Sequence, residues 1–361
     1  MYFTKDDWAK TSEVYEAWWA GTLRRPLIHF AQRELTYPQI SLSNCDNFTK
    51  PPQEVILEID CNIQNTEYYG DGFPCVGFEF FGAGVLAAYL GSHASLATDT
   101  VWFEPLAGEP ALSDIHLSFD PNTPWFCRCK DLYHAAVKHW QGKVMLGMTD
   151  IGGEMDVLAS LLGTERLLYS LYDEPEEVKR LLSEIHEVWL KVYFELQSII
   201  EPTNPGYMDW PRLFSAKPYY TQQCDFCYMI SPAMFDEFVK DTLLSTSKKI
   251  ERTMYHLDGR GQLPHLDTIL QMDKVQAVQW VPGDVGPSGL VWLDVYKKIK
   301  AAGKGMEFRG HTYHFADVTS AIGGEGFYLN ADFCPDKPKT KEAIRAFLAP
   351  YDTDGRYPWK L

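Results

Sequence analysis

Basic residues are scarce in this sequence: 33 Lys and Arg stand against 49 Asp and Glu, a formal charge of −16 spread along the chain rather than gathered into a tail. A surface field of that sign repels phosphate backbones and anionic lipid, so neither nucleic acid nor a membrane is expected as a partner. Long apolar runs are missing as well. The longest stretch without formal charge, 80–98, contains Gly82, Gly84, Gly91, Ser92 and His93 and is too polar for a membrane span, so it reads as a buried loop and helix. The N-terminus, MYFTKDDWAK, is too polar for the apolar core of a secretory signal. Eight irregularly spaced cysteines without such a signal fit reduced thiols in a cytoplasm better than a disulfide framework. There is no internal repeat, low-complexity segment or obvious linker. No G-x-G-x-x-G turn follows a first strand, as an open dinucleotide-binding sheet would require; IGGEG at 322–326 comes late and precedes a strand.

What is present is apolar and aromatic: 45% hydrophobic residues and 14% aromatics, with 11 Trp and 20 Tyr, which points to a folded chain with ring-lined pockets. A length of 361 residues is enough for a large core, and one domain over 1–361 is expected, with 1–30 as an N-terminal helical extension. Thr4 followed three residues later by Asp7 predicts a capped helix over 4–20, with Trp8, Tyr15, Trp18 and Trp19 on its apolar side. From 24 to 149 the pattern is irregular and rich in Pro, Gly and aromatics. VMLGM (144–148) then reads as a buried strand, 153–172 as a helix carrying Leu158, Leu161, Leu162 and Leu168, and Asp173-Glu-Pro-Glu as the cap of a long helix with Val178, Leu181, Ile185, Trp189, Val192 and Leu196 inward. Ser231-Pro232 starts another helix. Beyond it, strand-like TMYHL, AVQWV, GMEFRG and GFYLN alternate with helix-like segments, the signature of right-handed βα units on a parallel sheet. Without the glycine-rich turn of the open sheet, the expected α/β fold is a closed (β/α)8 TIM barrel.

One stretch carries chemistry. In YHLDGRGQLPHL (255–266) a short strand runs into a glycine-rich loop, so His256 and Asp258, two apart, project from one face at the strand's C-terminal end, where parallel barrels collect their sites. Imidazole and carboxylate both suit Zn²⁺, which takes three protein ligands when catalytic. A third would come from another late strand: Glu307, His311 or His314 after GMEFRG, or Asp332 or Cys334 after GFYLN, with Cys334 preferred because a thiolate adds charge and softness. The blander reading is a buried histidine beside a turn-forming Asp-Gly, and short metal-like spacings often mislead. Gln279 and Trp280 at a strand end could line a pocket, the amide hydrogen-bonding a substrate and the indole stacking on it, or Trp280 could be plain packing. His311 could serve as acid or base, or sit solvated in a loop. Arg33 could clamp a carboxylate bidentately or form a surface ion pair. Cys224-x-x-Cys227 has redox spacing but no second pair to complete a zinc ribbon, and Asp71–Cys75 reads as a turn.

The segment DIGGEMDVLASLLGTERLLYSLYDEPEEVKRLLSEI resembles the uroporphyrinogen decarboxylase superfamily, with its leucine-rich helix containing L-x-G-x-E and then D-x-P-E-x-V. ISPAMFDEFVKDTLLSTSKKI is similar to that family's S-P-x-x-F-x-E-F helix, and TMYHLDGRGQLPHLDTIL to its His-x-(Cys)-Gly stretch. The likeness covers about 140–348 and reaches the first 140 residues only through RRPLIHFAQRE. It implies a (β/α)8 barrel and two chemistries. The decarboxylases use N-terminal arginines and an aspartate without a cofactor, and here Phe30-Ala31-Gln32-Arg33 is a poor match for their arginine motif. The cobalamin-dependent methyltransferases hold zinc with His-x-Cys and a distant Cys; His256 and Asp258 align with the first pair and Cys334 with the last, Asp replacing Cys. That replacement makes the site harder and favours an oxygen substrate. The resemblance also implies that Asp225, Cys227 or Tyr228 faces the pocket. The implied function is zinc-dependent transfer of a methyl group between a small methoxylated, or thiol, compound and the cobalamin of a separate corrinoid protein docking at the barrel mouth. The alternatives are a cofactor-free decarboxylase of a uroporphyrinogen-like or other cyclic acid, and a non-catalytic barrel binding a ligand or corrinoid.

Overall fold

The computed structural model describes residues 1–34, 44–97, 100–283, 289–355 and 357. Its strands, in chain order, are β1 Leu27–Arg33, β2 Thr66–Gly70, β3 Cys75–Val76, β4 His93–Leu96, β5 Val101–Glu104, β6 Met145–Leu146, β7 Tyr219–Gln223, β8 Arg252–Asp258, β9 Val275–Val281, β10 Gly305–Phe308 and β11 Phe327–Asn330. Seven form one sheet in the order β2-β1-β11-β10-β9-β8-β7, parallel throughout except for β2. A separate parallel pair joins β3 to β6, and β4 and β5 form an antiparallel hairpin. The fold is therefore mixed α/β, with helices between successive parallel strands as the alternating pattern predicted.

Alternation along each strand divides the side chains between two faces. One register row, Gln223, His256, Gln279, Glu307, Tyr328 and Leu27, runs across six neighbouring strands and lies on one face, called inner here. Towards the strands' N-terminal ends this face packs into an apolar core with Met254 and Ala277, joined by Phe73 and Met145 from around the β3–β6 pair and by Met208 and Phe214. The opposite face, including Ile28, Tyr255, Leu257, Val278, Trp280, Met306 and Leu329, packs in the larger core with helices such as Pro175–Ile200.

The N-terminal helix Lys5–Trp19 closes the inner core. Thr4 and Asp7 cap it reciprocally, as expected, and Trp8, Tyr15 and Trp18 are buried against the inner-face cluster. Trp18 Nε1 donates to Phe327 O at 3.0 Å. Its ring explains why β10 opens with glycine: a Cβ on Gly305 would lie 2.7 Å from the indole.

Four expectations from the sequence change. The stretch 153–172 is two helices, Glu154–Leu162 and Thr164–Asp173, because Gly163 takes φ +85°, a conformation that stops the first. Asp173 consequently ends a helix instead of capping the next, which starts with Pro175 after Glu174. Residues 80–98 hold a short helix, Leu86–Tyr89, but also strand β4. Asp71 is more than a turn residue: buried, it pairs with Arg25 at 2.7 Å and accepts the Ile28 amide at 2.9 Å, pinning the start of β1. Among the described residues no helix is long and apolar enough to cross a membrane.

Candidate metal centre

Strand β8 places His256 and Asp258 on its inner face, and Gly259 at φ +76° turns the chain away immediately afterwards. The short 3-10 turn Asp225–Met229 after β7 brings Asp225 beside them. His256 Nε2 lies 3.7 Å from Asp225 Oδ1 and 4.0 Å from Asp258 Oδ2, and the three ligand atoms all fall within 4.8 Å of one another. A tetrahedral cation with bonds of about 2.0–2.2 Å needs donor atoms on the order of 3.5 Å apart, so small side-chain movements would complete a shell. The histidine is largely buried and both carboxylates are solvent-accessible, leaving an approach from the strand ends.

The ring is held from behind. Gln279, next in the register row, donates its Nε2 to Glu307 Oε2 at 2.5 Å, which turns its carbonyl oxygen toward His256 Nδ1. An amide oxygen only accepts, so Nδ1 carries a proton and Nε2 is the ring nitrogen that faces the two carboxylates. Glu307 is fully buried; burial pushes its carboxyl up to about 7, while the Arg309 guanidinium and the Gln279 amide pull the other way. Arg309 Nε stands 2.8 Å from Glu307 Oε1, an ion pair whose angle falls outside a hydrogen bond, and its guanidinium lies 3.8 Å over the Phe333 ring. Trp210 meets the His256 ring edge-on at 5.1 Å. Asp156 accepts the Asp225 and Phe226 amides at 3.0 and 2.7 Å, and Gln262 donates to Asp225 Oδ1 at 3.3 Å, so the turn bearing Asp225 is anchored.

Several expected site residues lie elsewhere. Cys334 is outside the cluster: it follows β11, three strand positions from β8, which is roughly 14 Å along a sheet with 4.8 Å spacing. Burial also pushes its thiol up to about 12, leaving it protonated. Asp225 takes the third position instead. Trp280 faces away from the site; since Gln279 points inward, its neighbour must point outward, and it packs against Trp292 at 5.2 Å. His311 precedes the helix Thr312–Ile322 beside Asp336 at 3.6 Å, away from the cluster. Tyr228 does sit at the rim, its exposed ring covering the loop after Asp258 so closely that a Cβ on Gly261 would lie 2.6 Å from it. Cys227 turns away, contacting the Tyr255 hydroxyl at 3.8 Å on the outer side. Arg33 lines a different cavity, discussed below. Of VQWVPGD, Asp284 lies outside the described residues. Trp210 and Asp156 went unread; only their contacts across the fold mark them.

No family model matches the chain, and no curated protein matches it. Among solved structures the chain is similar to a methyltransferase from Methanosarcina mazei, with a TM-score of 0.60 over 96% of this chain and 99% of that one, at 12% sequence identity. At that identity the likeness is one of fold.

Proposed function

We propose that this protein is a metal-dependent methyltransferase with the (β/α)8 architecture of the uroporphyrinogen decarboxylase superfamily, passing a methyl group between a small methoxylated compound and a corrinoid carried by a partner protein. The observation that carries the reading is the oriented imidazole: His256 places its Nε2 between Asp225 and Asp258 because Gln279 and Glu307 fix its other nitrogen. Motif resemblance and the likeness of fold to a methyltransferase point the same way. Closure of the sheet into a barrel is part of the proposal, supported by the β3–β6 pair: Met145 of β6 and Phe73 just before β3 share the inner core with Leu27 of β1 and Tyr219 of β7.

The donor set, one imidazole and two carboxylates, suits Zn²⁺ while being harder than a thiolate site. A bound zinc would supply Lewis acidity toward the ether oxygen, easing departure of that oxygen as the methyl group leaves. The chain's own residues divide the remaining work. Asp225 and Asp258 hold negative charge where the cation would bind, Gln279 aims the imidazole, and Glu307 with Arg309 orients Gln279. Trp210 covers one edge of His256 and limits water there. Exposed apolar side chains follow the C-terminal ends of four strands, Tyr228 and Met229 after β7, Leu290 and Val291 after β9, Tyr313 after β10 and Phe333 after β11. Such a rim fits a protein partner docking over the site.

The test is methyl transfer from a methoxylated aromatic compound to added cob(I)alamin, followed by the visible spectrum of the corrinoid. The wild-type protein should transfer, and His256→Ala should lower the rate by at least 100-fold. Carbon dioxide release with no methyl transfer would replace this reading with the lyase one.

A further inference from the structure

A second cavity, of about 540 Å³, opens beside β1 and β3, with the segment 209–214 on its border through Arg212. Its polar lining is unusual for this chain. Among its described lining residues Arg33, Arg212 and Lys337 outnumber Glu79 and Asp332, an excess of positive charge in a protein of charge −16. Asp332 is already saturated, accepting from Arg212 at 3.1 Å, Lys337 Nζ at 2.6 Å and the Ala31 amide at 3.1 Å.

Among the described residues, other groups on the same cavity are buried without hydrogen-bond partners. Neither ring nitrogen of His29 makes a hydrogen bond although the side chain is wholly buried; its Nε2 comes no closer than 4.0 Å to Asp332. Asn47 Oδ1 and Arg212 Nε are likewise buried and unpartnered. Arg212 also holds φ +62°, a left-handed conformation rare for a side-chain-bearing residue and typical of sites that over-determine the backbone. Native proteins rarely leave buried polar atoms unmet, and several around one cavity of ligand size indicate an occupant. The remaining wall is apolar, formed by Ile59, Ile63, Val76 and Phe80.

We propose that this cavity binds a small organic acid, its carboxylate held at the Arg212 side and its apolar body against Ile59, Ile63 and Phe80. Arg212 has one nitrogen, Nη1, on Asp332 and its Nε unpartnered among the described residues, leaving a charged donor for a carboxylate, and neutral His29, whose ring burial pushes down to about 4, offers one donor and one acceptor at pH 7. The cavity is tied to the candidate metal centre by one short segment, since Trp210, two residues before Arg212, packs on His256. Under the methyltransferase reading, on which this last step rests, the acid is the methyl-bearing substrate.

Calorimetric titration with 4-methoxybenzoate, 4-methoxybenzamide and inorganic phosphate tests this. The acid should bind saturably, the neutral amide at least 10-fold more weakly, and phosphate should not displace the acid. Arg212→Gln should weaken acid binding by 10-fold or more, and Ile59→Glu, which sets a carboxylate on the apolar wall, should abolish it. Equal affinity for acid and amide, displacement by phosphate, or undiminished binding in either cavity variant would overturn the proposal. Acid binding without methyl transfer would leave the cavity standing and remove the methyltransferase reading; transfer from the amide, unaffected by Arg212→Gln, would do the reverse.

Discussion

The ring of His256 is set by residues outside the cluster: Gln279 makes Nδ1 a donor, and Glu307 decides which way Gln279 points. The inner face buries other acids as well, and they carry a measurable signature. Asp209 is fully buried, with its Oδ2 accepting the Thr221 amide at 2.5 Å, and burial pushes its carboxyl up to about 8. An unfolded aspartate loses its proton near 3.9, so the folded chain holds that proton where the unfolded one does not. The associated stability is full below about pH 4 and drains away as pH rises through about 8. Between pH 5 and pH 8 the wild-type melting temperature should therefore fall, and Asp209→Asn should fall less; parallel slopes would remove Asp209 from the account. The pair His256 and Asp258 was legible because a strand repeats every two residues. The same parity shows that adjacent Gln279 and Trp280 could not both line the pocket. Asp225 as third ligand was not legible as such, since its approach depends on how the turn after β7 meets β8.

At the level of elements, the late strands and helices could be read from period and punctuation, and the early ones could not. Strand β3 is two residues long, too short for alternation to register, and β4 and β5 hide in a stretch rich in glycine and aromatics; β6 was legible as the apolar run VMLGM, of which Met145–Leu146 forms the strand. Gly163 interrupts an apolar helical pattern that remains continuous on both sides, so only its φ of +85° reveals the break. The N-terminal helix was the exception, announced by its capping box and its tryptophans. Its contribution is large: Trp18 is buried against Gly305 and Tyr328 and donates to Phe327 O. Trp18→Ala should destabilise the protein by about 3–5 kcal/mol, as large-to-small core changes do, visible as a lower denaturant midpoint. A loss under about 1 kcal/mol would mean the helix is an ornament on the sheet.

For the whole molecule, the α/β class and the parallel pairing of β7 to β11 followed from the alternation of elements, whereas the proposed closure into a barrel rests on how the β3–β6 pair meets its neighbours. The ligand set implied by resemblance changed in one member: the fold brings Asp225 to His256 and Asp258 and keeps Cys334 out of the cluster. That difference supplies the sharpest test. Purified wild-type protein, Asp225→Ala and Cys334→Ala should be analysed for bound metal by mass spectrometry after equilibration with zinc and desalting. The account predicts about one zinc per chain in the wild type and in Cys334→Ala, and loss of the metal in Asp225→Ala. A wild type without metal, or zinc lost from Cys334→Ala and kept by Asp225→Ala, would contradict it.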